Sequence, residues 1–168
     1  MTISESLLPE FDQEMANTRK ILERVPEGVL DWQPHEKSAT MGWLATHLAR
    51  IPVWVNYTLT TESVDVASPE LAAERPLPAA STQALLELFD GCAAAAGLAL
   101  AGAGDDAMRA PWSLLSHGTL IFTLPRVAVL RTMVLSHIIH DRAQLGVYLR
   151  LQGVPLPPMY GPTADEPM

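Results

Sequence analysis

Apolar residues recur every three or four positions over four long stretches of the chain, which is the period of an amphipathic helix. The pattern predicts helices over about 3–25, 40–60, 82–101 and 125–153. The second stretch contains Pro52, which removes a backbone donor and crowds the preceding turn, so we expect a kink or an interruption there. Four amphipathic helices of this length predict an all-α fold, built as a four-helix bundle.

Two connections between these helices carry signals of their own. Residues 62–80 hold three prolines and mixed charge, which predicts a long connection rather than a helix. Such a connection can follow the whole length of a neighbouring helix, so the second and third helices are free to lie parallel. Residues 110–124, which turn at Ser-His-Gly, predict a short β-hairpin before the last helix.

The last predicted helix departs from its apolar pattern in its second half. Its inward stripe, spaced by four and three residues, is Leu130, Val134, His137, Asp141, Gln144 and Tyr148. Three polar residues therefore stand where the pattern calls for Leu or Val. A carboxylate in an apolar core is costly unless it is paired or bound to a cation.

The polar residues of this stripe have the spacing of metal ligands. His137 and Asp141 are four apart, so their side chains lie one turn apart on one face, with about 5–6 Å between Cβ atoms. His47 holds an inward position on the second helix, between Trp43 and Trp54, which are expected to pack in the core, at an interface or along a pocket. Two imidazoles and a carboxylate leave coordination positions open for water or substrate. We predict a metal site at these three residues.

Alternatives to this ligand set remain open at the level of the sequence. His140 lies on the same side of the last helix, so it is expected either to replace Asp141 as a ligand or to support a ligand by a hydrogen bond. It is also the candidate catalytic residue, moving a proton. Arg142 is able to neutralise Asp141 or another acid, which would make the cluster a structural ion pair. Gln144 is expected to donate a hydrogen bond to Asp141.

Composition argues against several classes of function. The 168 residues suffice for one domain over 1–168 and are too few for two ordinary ones. A net charge of −8 argues against nucleic acid and anionic membranes as partners, because such binding needs clustered Lys and Arg. The sequence pattern indicates no membrane span and no export signal, and a single cysteine cannot form an internal disulfide, so we expect a cytoplasmic protein.

Four segments of the chain carry a family resemblance. They are TRKILERVPEGVLDWQPHEKS at 18–38, WQPHEKSATMGWLATHLARIP at 32–52, IFTLPRVAVLR at 121–131 and SHIIHDRAQLGVYLRLQGVPLPPMYGPTADE at 136–166. Together they resemble the DinB-like superfamily of metal-dependent enzymes, in particular its small bacterial single-domain members. The resemblance covers nearly the whole chain. It implies a four-helix bundle in up-down-down-up order, which agrees with the long connection, packed as a homodimer.

The resemblance also implies a site and a chemistry. The family's metal triad is one His on the second helix and a pair spaced four apart, commonly His-x-x-x-His, on a later helix. By position it falls on His47, His137 and Asp141, and this chain departs from the pattern by placing Asp at the third ligand. The implied cofactors are zinc or nickel and a low-molecular-weight thiol such as bacillithiol or mycothiol.

The function expected from this resemblance is a metal-dependent thiol S-transferase, or a related detoxifying enzyme, that acts on a small molecule. The same ligands suit activation of water for hydrolysis. A non-catalytic stress protein, dimeric and binding a metal or another ligand, is the alternative from a different class. These chemistries share one ligand set, so the sequence does not separate them.

Overall fold

The computed structural model describes residues 1–74 and 77–167 of the chain, and most of these residues are helical. The helices are α1 (Ile3–Leu22), α2 (Met41–Arg50), α3 (Val53–Thr60), α4 (Pro69–Ala73), α5 (Thr82–Gly102), α6 (Asp105–Arg109), α7 (Arg126–Val129) and α8 (His137–Leu151). A 3₁₀ turn covers Glu27–Val29, and a π-helical segment covers Leu130–Ser136 between α7 and α8. The strands are β1 (Ser63–Asp65), β2 (Pro111–Ser116) and β3 (Thr119–Pro125).

Pro52 interrupts the second predicted helix, as expected. α2 ends at Arg50 and α3 begins at Val53. Between them, the N–H of Ile51 bonds only to the carbonyl three residues back, at 3.4 Å, and the N–H of Trp54 does the same at 3.0 Å. The two helices therefore follow one another through a single tightened turn, so the inward and outward faces of α2 continue into α3.

The connection predicted over 62–80 is more ordered than its composition indicated. It contains β1 and the five-residue α4. α4 forms because Pro69 occupies the first helical position and the Ser68 side chain accepts from the N–H of Leu71 at 3.2 Å. Arg75 and Pro76 of the predicted connection lie outside the described residues.

One main hydrophobic cluster joins the long helices. α1 packs on α5 and α8, α5 packs on α2 and α3, and α2 packs on α8. Leu7, Phe11, Leu48, Phe89 and Leu145 lie in this cluster and are almost fully buried. The prediction of a mainly helical fold is thereby confirmed, with a small sheet added. The up-down-down-up order of a four-helix bundle stays a prediction.

α5 differs from the expectation that no segment is apolar enough for a membrane span. By length and composition α5 qualifies, with a mean hydropathy of 1.6, because its many Ala and Leu residues raise that average. Leu85, Phe89 and Leu100 are buried against the other helices, whereas Leu98 is exposed. One face of α5 therefore belongs to the core of this fold.

The predicted hairpin is formed by β2 and β3. His117 and Gly118 connect the strands with φ of +50° and +74°, the two positive values that a type I′ turn requires. The Asp65 carboxylate accepts from both of their N–H groups, at 3.0 and 2.6 Å, and these hydrogen bonds hold the pKa of Asp65 below its usual range. Asp65 belongs to β1, an unpredicted third strand that pairs parallel to β2.

The sheet packs on the last helical stretch through a second, smaller cluster. Trp112, Leu114 and Val129 form its buried centre, and Trp54 and Met133 pack against them. Met133 belongs to the π-helical segment. The sheet therefore supports that segment from the side, directly before α8 begins.

The buried face of α8 corrects one sequence prediction. Gln144, predicted on the inward stripe as a donor to Asp141, is exposed. Beyond Asp141 the buried face continues four residues on, at Leu145, rather than three residues on, at Gln144, because both spacings lie close to one helical turn. The buried positions of α8 are Ile138, Asp141, Arg142, Leu145, Gly146, Tyr148 and Leu149.

Candidate metal centre

His47 is carried by the second turn of α2, whose start is tied to the preceding loop. Thr40 caps the helix by accepting from the N–H of Trp43 at 3.2 Å. The N–H of Gly42 bonds to the carbonyl of Leu30 at 2.8 Å, and a Cβ at Gly42 would lie only 3.1 Å from that oxygen. Glycine at this position therefore lets α2 approach the loop closely, which fixes the helix that bears His47.

His137 is the first residue of α8, and its ring is held at both nitrogens. Its backbone N–H donates a hydrogen bond to the carbonyl of Val134. The carbonyl of Met133 accepts a hydrogen bond from the imidazole, while Nε2 faces Asp141 and His47. A backbone acceptor on one nitrogen fixes the tautomer in which the other nitrogen offers its lone pair.

Three potential ligand atoms converge in a nearly equilateral triangle. Nε2 of His47 lies 3.3 Å from Nε2 of His137 and 3.3 Å from Oδ2 of Asp141, and Nε2 of His137 lies 3.2 Å from that same Oδ2. The structure thus brings together the three residues that spacing predicted as metal ligands. Asp141, rather than His140, supplies the third atom.

The electrostatics of this triangle favour a positive charge at its centre. The Asp141 carboxylate is buried, and its hydrogen bond raises the pKa of His137 above the usual range, against the opposing effect of burial. Two imidazole nitrogens at 3.3 Å from each other can share at most one hydrogen between them. The lone pairs gathered there therefore need a proton or a metal ion.

The triangle has the dimensions of one face of a coordination tetrahedron. Metal–ligand bonds of about 2.0–2.1 Å at tetrahedral angles separate two ligand atoms by about 3.3–3.4 Å. The same bonds at right angles, as in an octahedral site, separate them by about 2.9 Å. The observed edges of 3.2–3.3 Å are closer to the tetrahedral value, and the donor set of two nitrogens and one oxygen fits a divalent transition metal.

The centre opens to solvent on one side. The His47 and His137 side chains keep 34% and 36% of their surface exposed, whereas that of Asp141 keeps only 9%. The indole of Trp43 stacks on the His47 ring with 4.9 Å between centroids and 12° between planes. A fourth ligand can therefore reach the centre along the imidazole edges, beside the Trp43 ring.

A family model decides the classification of the chain. The model that describes the DinB superfamily matches residues 10–145, a range that contains all three candidate ligands. The chain belongs to the DinB superfamily. No curated protein matches this DinB superfamily chain.

Two solved structures share the fold of this DinB superfamily protein. A DinB-like protein from Bacillus cereus is 22% identical, with a TM-score of 0.72 over 95% of this chain and 98% of that one. A DinB-like protein from Bacillus subtilis is 15% identical, with a TM-score of 0.70 over 92% of this chain and 97% of that one. At these identities the likeness concerns the fold alone.

His140 lies outside the triangle of this DinB superfamily protein. Its side chain is exposed on α8 and hydrogen-bonds to the amide of Gln144, one turn further along. Among the described residues, the ligand atoms that converge at the centre belong to His47, His137 and Asp141, and not to His140. Its role as a proton carrier stays a prediction.

Arg142 pairs with an acid other than Asp141. Its guanidinium bonds to the buried Glu14 carboxylate, to the Glu14 carbonyl at 3.0 Å and to Thr18 Oγ1 at 3.1 Å. The Tyr160 hydroxyl accepts from Arg142 and donates to Glu14 Oε2 at 2.6 Å. Glu14, rather than Asp141, is the counterion of Arg142. Arg142 therefore does not neutralise Asp141, as a structural ion pair at the His-His-Asp cluster would require.

A cleft adjoins the candidate centre, and sequence reasoning identified it only in part. It has a volume of about 240 Å³ and is lined by Trp43, Thr46, His47, Arg50, Ile51, Val53, Trp54, Tyr57, Leu71 and Pro78. Trp43 and Trp54 were expected to pack in a core, at an interface or along a pocket. The signal that identifies Arg50 and Tyr57 is their spacing from His47, which continues one helix face through the α2–α3 turn.

Proposed function

We propose that this protein is a metal-dependent enzyme in which His47, His137 and Asp141 hold one zinc ion. The observation that carries the proposal is the triangle of ligand atoms with edges of 3.2–3.3 Å. Its near-tetrahedral dimensions support zinc over nickel, which accepts square-planar and other geometries. The open side supports a catalytic site, because structural zinc is enclosed by four protein ligands.

The proposed reaction is transfer of a low-molecular-weight thiol to a small electrophilic substrate. The chemistry that a bound divalent cation supplies is stabilisation of the thiolate, the nucleophilic form of the thiol, at neutral pH. Asp141 offsets part of the cation's charge inside the protein. The Met133 carbonyl keeps the His137 ring turned so that Nε2 points to the centre. The exposed His140 is proposed to pass the released proton to solvent.

Elemental analysis of the full chain, purified without chelators, tests the metal site. We expect about one zinc per chain in the wild type and none in His137→Ala, with helical content retained. His140→Ala is the matched control, three residues away on the same helix, and should keep the metal because its ring lies outside the triangle. Wild-type protein that takes up no zinc or nickel, or a His137→Ala variant that keeps it, contradicts the proposal.

A second assay tests the reaction class. The zinc-loaded protein is given a thiol and an activated aryl halide, and formation of the thioether, with release of halide and of the thiol proton, is followed with and without a chelator. We expect formation that requires zinc and that falls with His137→Ala. Hydrolysis of the electrophile without incorporation of the thiol would instead support the metal-dependent hydrolase, because water also reaches the open side of the centre.

We also propose that the cytoplasmic form of the protein is a homodimer, with the helices in up-down-down-up order. An apolar groove of about 590 Å³ between α8 and the segment 156–163 supports this, because Val147 and Leu151 on its edge are each 59% exposed. Light scattering at micromolar concentration should give twice 18.2 kDa. Val147→Lys should halve that mass, whereas Leu98→Lys, at a more exposed site on α5, should not. A wild-type mass of 18.2 kDa contradicts the dimer.

A further inference from the structure

The cleft beside the candidate centre has one cationic side chain among its walls. Arg50 lies on α2 three residues after His47, on the same face of the helix, and its side chain is half-buried in the cleft. In the described residues, no Asp or Glu lies within ion-pairing distance of its guanidinium, and none lines the cleft. A half-buried guanidinium in this position offers unused donors to a ligand.

The other walls of the cleft are mainly aromatic. Trp43 lies at the end near the metal centre, and Trp54 and Tyr57 lie beyond Arg50 with 5.6 Å between their ring centroids. Burial raises the pKa of Tyr57 to about 12, so its hydroxyl stays neutral and donates to Glu74. That hydrogen bond engages the Glu74 carboxylate, which does not itself line the cleft, so Arg50 remains the cationic side chain among the lining residues.

We propose that Arg50 anchors an anionic group of the substrate, so that the site takes small molecules that combine a carboxylate with an aromatic or apolar body. This inference rests on the proposed function, because it assigns the substrate class of the same metal centre. The carboxylate accepts from the guanidinium, the body lies against Trp43 and Trp54, and the reacting end reaches the centre beside His47. A charge-assisted, bidentate hydrogen bond fixes both the position and the direction of such a molecule.

Paired probes that differ only in charge test this assignment. The zinc-loaded full chain is titrated with 4-mercaptophenylacetate and with its neutral amide, and binding is followed by calorimetry. We expect the acid to bind about tenfold more tightly than the amide, because it gains a hydrogen bond between charged groups at a partly exposed site. Arg50→Gln should remove this preference without changing the zinc content. Arg50→Lys keeps the charge and should retain part of the preference.

Arg109→Gln is the matched control, since Arg109 is an exposed arginine paired with Asp105 on α6. It should leave the preference for the acid intact. Equal binding of acid and amide by the wild type, no binding of the acid, or a preference that survives Arg50→Gln overturns the assignment of Arg50.

Phenylacetate and phenylacetamide, which carry no thiol, separate this inference from the metal site. A wild type without zinc refutes the proposed function, and the phenylacetate pair then decides the role of Arg50 alone. A preference for phenylacetate that Arg50→Gln removes supports the anion anchor, and equal binding overturns it. Normal zinc content with equal binding of both pairs refutes the anchor and leaves the metal centre standing.

Discussion

Asp141 and Arg142 are neighbours on α8 and both are buried, yet they belong to two polar clusters of opposite character. Arg142 meets an acid, two hydroxyls and a carbonyl, so its charge and four of its N–H donors are satisfied by the protein itself. Asp141 meets two imidazoles, and the three facing atoms are all potential electron-pair donors. The first cluster is complete without a ligand, and the second needs a positive centre.

The difference shows why burial of a charged residue does not by itself identify a metal site. The side chains of Glu14 and Asp141 are about equally inaccessible, at 8% and 9% exposure. The difference lies in the partners of the two carboxylates. The permanent cation of Arg142 on α8 pairs with Glu14, whereas Asp141 faces imidazoles, which are cationic only when protonated. The accessible side of the second cluster lets an ion enter. The first cluster is sealed by Tyr160, whose ring lies 5.4 Å from the Arg142 guanidinium carbon.

The largest expected effect on stability comes from breaking the Arg142–Glu14 cluster, which we call the closed cluster. Arg142→Met leaves the Glu14 carboxylate buried without its counterion, so we expect the free energy of unfolding to fall by about 3–5 kcal/mol. Urea denaturation measures this loss. The double variant Glu14→Gln with Arg142→Met removes both charges and should recover most of the stability. If the double variant is as unstable as the single one, the ion pair is not what stabilises this region.

The cluster of His47, His137 and Asp141, which we call the open cluster, should instead become more stable when it binds metal. Zinc at about one hundred times its dissociation constant should raise the free energy of unfolding of the wild type by about 2.7 kcal/mol. Asp141→Asn keeps the shape of the side chain and should lose this increment. The double variant of the closed cluster should retain it. Denaturation with zinc and with chelator gives the increment directly, and an unchanged increment in Asp141→Asn would contradict the ligand assignment.

A smaller effect is expected where the tail, which is the segment 152–167 after α8, covers the Arg142–Glu14 cluster with Tyr160. Tyr160→Phe removes one hydroxyl that accepts from Arg142 and donates to Glu14, so we expect a loss of about 1 kcal/mol. The aromatic ring remains, so its packing over the guanidinium is kept. Urea denaturation measures the loss, and zinc content measured in parallel should not change. A fall in zinc content would show that the two clusters are coupled.

The smallest effect concerns the other contact of the tail with α8. Arg150 bonds to Asp165 and holds the pKa of that carboxyl down to about 2, from an ordinary value of 3.8. A lowered pKa in the folded state means that the contact stabilises above about pH 4 and is lost as the pH falls towards 2. Amide signals around Leu156, whose N–H also bonds to Asp165, should shift in this window. Asp165→Asn should shift them at neutral pH and remove the pH dependence.

The helices and the gathering of His47, His137 and Asp141 were predictable because helical spacing alone places side chains on faces. That these residues bind a metal stays a prediction. Gln144 was wrongly placed, because spacings of three and of four residues both fit one face of a helix, and the buried residue that follows Asp141 on this face is Leu145. β1 was missed because a three-residue strand within a proline-containing connection gives no periodic signal.

The choice of partner for Arg142 was not predictable from local spacing. Glu14 is 128 residues away along the chain, and only the packing of α1 on α8 brings the two together. Arg50 was missed for a related reason. An arginine near the end of an amphipathic helix usually lies in solvent, and its half-buried position depends on Leu71 and Pro78, which line the same cleft and are distant from it in sequence.

The orientation of the His137 ring depends on how the preceding segment of the helix winds, and not only on the kinds of residue within that segment. Leu130–Ser136 accommodates its residues in wider turns than an α-helix, and Met133 turns its carbonyl to the imidazole from within that segment. If the same seven residues wound into ordinary α-helical turns, every later side chain of α8 would rotate by roughly 100° relative to α7. Such a rewinding would leave all three candidate ligands in the chain and still take the triangle apart.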